Sequence, residues 1–227
     1  MTSGADRGTA LPREIRAPLA ISGLLGAIVA VTLAILFAGQ DTGSRLDAWL
    51  TAALELPPGR APTLYPLSLI VQGLADPIPA AVLMLLLAAT CWRLGRRRLA
   101  LLAVAGPAAA DTVVMVMKPL VGRTIHEGSL SYPSTHAAQI TAFILVIALL
   151  VLSRLSLSTG AATAVVLGAA AAGALAMGWA QVAGSVHYAT DTLGGFCVAV
   201  AVVPVVACCT DLASDRIAAE RQIQPAA

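Results

Sequence analysis

Charge is scarce in this chain: Asp, Glu, Lys and Arg make up 11% of its 227 residues, against about 25% in soluble domains. Aromatic residues are scarcer still, at 4%. The apolar mass, 58% of the chain, is therefore mostly Leu, Val, Ala and Ile, and the mean hydropathy is +0.85. A soluble chain of this length needs a polar surface, which so few charges cannot supply. Net charge is only +2, and no basic block resembles a nucleic-acid footprint. The four cysteines, Cys91, Cys197, Cys208 and Cys209, lie in or beside apolar runs without zinc-type spacing, and read as small buried residues.

What the chain does have is long hydrophobic runs. A membrane-spanning helix takes about 20 mostly apolar residues. The runs predict six spans, at about Ala17–Gly39, Leu67–Leu94, Leu99–Met117, Thr135–Leu152, Thr159–Val182 and Thr190–Cys209. The first is longer than a signal-peptide core and lacks a clear small-x-small cleavage site, so it reads as a retained helix. Between the first two, Ser44–Leu56 suits a short amphipathic helix at the interface. The expected fold is an all-α polytopic membrane bundle. Residues 1–16 form an N-terminal tail, 17–210 one six-helix domain and 211–227 a polar C-terminal tail, expected to be disordered from Gln222.

Six spans put both termini on one side. Ten of the 14 Lys and Arg residues fall there: Arg7, Arg13, Arg16, Arg93, Arg96, Arg97, Arg98, Arg154, Arg216 and Arg221. Arg45, Arg60, Lys118 and Arg123 fall on the other. The positive-inside rule then predicts cytoplasmic termini.

All three histidines, His126, His136 and His187, fall on the opposite, outer side with Lys118 and Arg123. Ionisable groups at membrane depth are costly and usually functional. His187 and Asp191 are four apart at a helix start and share a face. A carboxylate there fixes the imidazole tautomer and frees Nε2 as nucleophile or base; the plainer reading is an interfacial histidine with a capping acid. Pro133-Ser134-Thr135-His136 leads directly into an apolar helix, with Ser134 or Thr135 as N-cap. Free amides and the helix dipole there suit an anion, although caps before spans are ordinary. Lys118 and Arg123 close the third span, where cations also snorkel routinely. Asp111, two turns deeper, calls for a partner in Lys118 or a neighbouring hydroxyl. Taken together, cations, free amides, an oriented histidine and a second histidine are what metal-free phosphoryl transfer needs.

These segments resemble the type 2 phosphatidic acid phosphatases, which share their site with vanadium haloperoxidases. The resemblance runs through Lys118 with Gly122-Arg123, then Pro133-Ser134-Thr135-His136, then His187 with Asp191 followed by Gly194-Gly195. It extends to the six-helix layout and so to nearly the whole chain. It implies a lipid-phosphate phosphatase, with a lipid or polyprenyl phosphate or diphosphate as substrate, membrane lipids around it, and no metal or cofactor. His187 would be the nucleophile, Asp191 its partner and His136 the general acid and base. Lys118, Arg123, Ser134 and Thr135 would hold the phosphate. The location implied is the cell membrane, with the site extracytoplasmic.

The chain also departs from that family. The Arg-Pro expected seven and eight residues after the lysine falls on Ile125 and His126. The glycine of the second motif is Thr135. The Ser-Arg before the last histidine falls on Ala180 and Gln181. A neutral Gln181 replaces its arginine only in part, and His126, Arg45 or Arg60 are the candidate stand-ins. A phosphotransferase on the same scaffold and a non-catalytic relative stay open beside the hydrolase.

Overall fold

Helices follow the apolar runs, and two of the long ones end at glycine, one at Gly122 and one at Gly184. In a computed structural model describing residues 8–56, 61–126 and 128–223, eight helices and one minimal hairpin occur among the described residues. They are α1 (Arg13–Leu36), α2 (Arg45–Leu54), α3 (Leu64–Gly73), α4 (Pro77–Arg93), α5 (Arg97–Val121), β1 (Thr124–Ile125), β2 (Ser129–Leu130), α6 (Thr135–Leu152), α7 (Thr159–Ala183) and α8 (Ala189–Ile223). Five of these, α1, α5, α6, α7 and α8, are each long and apolar enough to cross a membrane, and α3 with α4 makes a sixth, bent span. The protein is an all-α integral membrane bundle. Arg7, Arg60 and residues 224–227 lie outside the described residues.

Two spans differ from their sequence expectation. The second is not continuous: α3 stops at Gly73, and α4 restarts at Pro77 after a 63° bend. The cause is local. Proline disfavours helical backbone in the residue before it, and Asp76 is extended, at φ −64° and ψ 152°. The last span does not end near Cys209 but continues as helix through Ile223, so the expected tail is helical over most of its length. There Asp211 and Asp215 face arginines of α1 and α5.

The interhelical core is built from small and branched side chains: Leu102, Ala103, Val146, Val166, Ala170, Ala199 and Val203 are all buried. Small residues let membrane helices approach closely. At Gly26 of α1, a Cβ would sit 2.9 Å from the Cys197 carbonyl oxygen of α8. Large apolar residues instead face outward along the spans, among them Leu24, Ile28, Leu85, Leu101 and Leu175. That inside-out distribution is what a lipid solvent requires.

The expected amphipathic helix is present as α2. Ser44 Oγ accepts the Asp47 amide at 3.1 Å, while Asp47 Oδ2 accepts the Ser44 amide at 2.9 Å, a reciprocal capping box. α2 touches both α7 and α8 and brings Asp47 to the start of α8.

Candidate active site

The loop after α5, the start of α6 and the start of α8 meet at one end of the bundle. Two contacts lock them together. The Ser134 amide donates to the Asp191 carbonyl at 3.0 Å, and Gly195 packs its backbone on the first turn of α6. A Cβ at Gly195 would run into the Ser134 carbonyl and lie 3.0 Å from the Ala137 Cβ.

Asp191 is the hub. It is fully buried, and its two oxygens have different duties. Oδ1 accepts from Arg123 Nη1 at 2.6 Å. Oδ2 accepts the Tyr188 amide at 3.1 Å and lies 3.4 Å from His187 Nδ1. The last distance exceeds the roughly 2.7–3.2 Å of a well-formed bond. The His187 side chain is 12% exposed, and burial pushes its imidazole below the ordinary histidine value, partly offset by Asp191. Burial thus favours the neutral ring, and the contact at Nδ1 leaves Nε2 available. Lys118 and His136 are near enough to act on it electrostatically.

Arg123, expected to hold phosphate, is enclosed instead. It is fully buried, its Nη1 also reaches Thr190 Oγ1 at 2.7 Å, and its Nη2 meets Asp47 Oδ2 at 3.1 Å. The guanidinium lies between the rings of Phe37 and Tyr188, 4.1 and 4.3 Å from their centroids, an arrangement that favours a desolvated cation. Burial alone would raise the Asp47 carboxyl, but hydrogen bonds from Thr190 and Ser44 outweigh it and hold the group below its ordinary value. Arg123 thus binds two carboxylates and fixes Asp191.

Ser134 and Gln181 are also turned inward. Ser134 Oγ accepts the Ala137 amide at 3.3 Å, as the N-cap of α6, and donates to Gln181 Oε1 at 2.8 Å. Both residues are buried. Gln181, at the position of a family arginine, ties α7 to the α6 cap. Thr135 opens α6 and is half-buried; its amide and that of His136 begin a helix and have no intrahelical acceptor. Lys118 is half-buried and donates to the Leu130 carbonyl at 2.8 Å. It is the accessible cation among the expected phosphate ligands. His126 is exposed beside the hairpin with its Nε2 against the Ser185 carbonyl. Arg45 begins α2.

Asp111 does not ion-pair with Lys118 among the described residues. Its Oδ1 is buried without a hydrogen-bond partner, within electrostatic reach of Lys118 and His136.

Sequence reasoning missed two carboxylates. Asp47 was hidden in the linker helix, although Ser44-Arg-Leu-Asp47 has capping-box spacing. Asp76 Oδ1 lies 3.1 Å from His136 Nε2, and its signal was the proline pair that follows it.

The arrangement is that of a membrane helical bundle in which a buried Arg123–Asp191 pair contacts His187 beside the start of α6. The family model of the PAP2 superfamily matches residues 78–214, more than half of the chain and all of the motif residues. The chain belongs to the PAP2 superfamily. No curated protein and no solved structure matches it.

Proposed function

We propose that the protein hydrolyses a lipid or polyprenyl phosphate or diphosphate at the extracytoplasmic membrane surface, through a phosphohistidine on His187. The observation that carries this reading is the split duty of Asp191. One oxygen is anchored by Arg123 and the other faces His187 Nδ1, which leaves Nε2 to attack phosphorus. As the N–P bond forms, the P–O bond to the lipid breaks and His136 donates a proton to the departing oxygen. His136 then takes a proton from water, the water oxygen attacks phosphorus, and the N–P bond breaks to release phosphate. Lys118 and the first amides of α6 hold the equatorial oxygens. Arg123 acts here through Asp191, and the buried Ser134–Gln181 pair holds α6 against α7.

A non-catalytic relative is the second reading. It is favoured by Arg123, Ser134 and Gln181 facing inward, which removes three expected phosphate contacts. One assay decides between the two. Detergent-purified protein is offered phosphatidic acid, phosphatidylglycerol phosphate, and polyprenyl phosphate and diphosphate, with His187→Ala alongside. Phosphate release by the wild type and not by the variant is the expected result. Release by neither supports the non-catalytic relative.

A further inference from the structure

Helix N-caps are commonly aspartate, whose carboxylate accepts an amide of the first turn. Asp76 caps α4, yet its side chain makes no capping bond. The sequence Asp76-Pro77-Ile78-Pro79 explains why. Pro77 and Pro79 carry no amide hydrogen, so two of the three first-turn donors are missing, including the one at the third helical position.

The released carboxylate has another partner. Asp76 Oδ1 lies 3.1 Å from His136 Nε2. The contact joins the break in the second span to the start of α6, and no other hydrogen bond to the His136 ring occurs among the described residues. The 63° bend between α3 and α4 brings Asp76 to this height.

We propose that Asp76 is a positioning residue for His136. It accepts the Nε2 hydrogen, fixes the ring, and leaves Nδ1 as the nitrogen that gives a proton to the departing oxygen and takes one from water. The site then holds two His–Asp pairs with opposite polarity. Asp191 faces Nδ1 of His187 and exposes Nε2; Asp76 faces Nε2 of His136 and exposes Nδ1. This inference rests on the proposed phosphatase reading.

The test exploits the leaving group. An alkyl oxygen must be protonated as it departs, whereas p-nitrophenolate leaves without a proton. Asp76→Ala removes no capping bond, so the helix end is not at stake. We expect kcat/KM for a lipid phosphate to fall about 10²-fold, the lower end of general-acid effects, with a much smaller loss for p-nitrophenyl phosphate. Equal losses on the two substrates, or no loss on either, would overturn the proposal. A second measurement needs no turnover: carbethoxylation by diethyl pyrocarbonate, mapped by mass spectrometry. Freed from Asp76, His136 should react several-fold faster in Asp76→Ala, while His126 keeps its rate. An unchanged His136 rate refutes the pairing. If the wild type hydrolyses neither substrate, the phosphatase reading fails, and the mechanistic role given to Asp76 falls with it. The mapping then still decides the contact itself.

Discussion

At the site end of the bundle one buried arginine is shared by two buried carboxylates; at the opposite end one buried carboxylate is shared by two partly exposed arginines. Arg123, Asp47 and Asp191 are each wholly enclosed. Asp211 is buried too, but its partners Arg16 and Arg98 keep side-chain exposures of 34% and 22%. Asp211 also accepts the amides of Ala10 and Leu11, at 2.7 and 3.2 Å, and so ties the chain ahead of α1 to α8. The two networks solve different problems. Arginines that reach water can rehydrate if the bond is lost, so the Asp211 end is a tolerant anchor. At the site end every charge depends on the others, and the reward is a carboxylate whose second oxygen has one orientation towards His187.

The largest expected effect breaks the dry network. Arg123→Met leaves Asp47 and Asp191 buried without their cation, which costs about 3–5 kcal/mol when one partner of a buried pair is removed. Unfolding in mixed micelles measures this, and phosphatase activity should vanish with it. A near-wild-type stability would show that the site end is as tolerant as the other. The intermediate effect is at the anchor. Asp211→Asn should lower stability by about 1–3 kcal/mol, while kcat/KM stays within a few-fold of wild type because the site is untouched. A collapse of activity there would tie the two ends together.

The smallest effect is a displacement of the pH profile. In the proposed mechanism the neutral ring of His187 is the nucleophile, and burial lowers its value. As pH falls, activity should therefore persist below the ordinary histidine value of 6.5 and be lost only at lower pH. An acid limb at or above 6.5, measured as kcat/KM against pH, would contradict the dry environment assigned to His187.

The site's membership was more legible than its wiring. Span positions follow from apolar run length, and His136, His187 and Asp191 fell on one side once six spans were counted. The break at Leu74–Asp76 was less visible, because Leu67–Leu94 is apolar enough to read as one helix and only Pro77 and Pro79 mark its interruption. The enclosure of Arg123 was not readable at all. An arginine after a span looks the same whether it snorkels to water or turns inward, and the choice depends on Asp47 and Phe37 arriving from elements far away in sequence. Gln181 is similar. Its position marked a missing arginine, while its bond to Ser134 depends on how α7 meets α6.

The most direct test of the central claim is to trap the phosphorylated protein. Membranes or purified protein are mixed with lipid phosphate labelled at phosphorus, quenched in base within the first turnover, and mapped. The expected result is an acid-labile, base-stable label on His187 in the wild type, absent from His187→Ala and still formed from p-nitrophenyl phosphate when His136 is replaced. A label on any other residue, or phosphate release that continues in His187→Ala, would contradict the account.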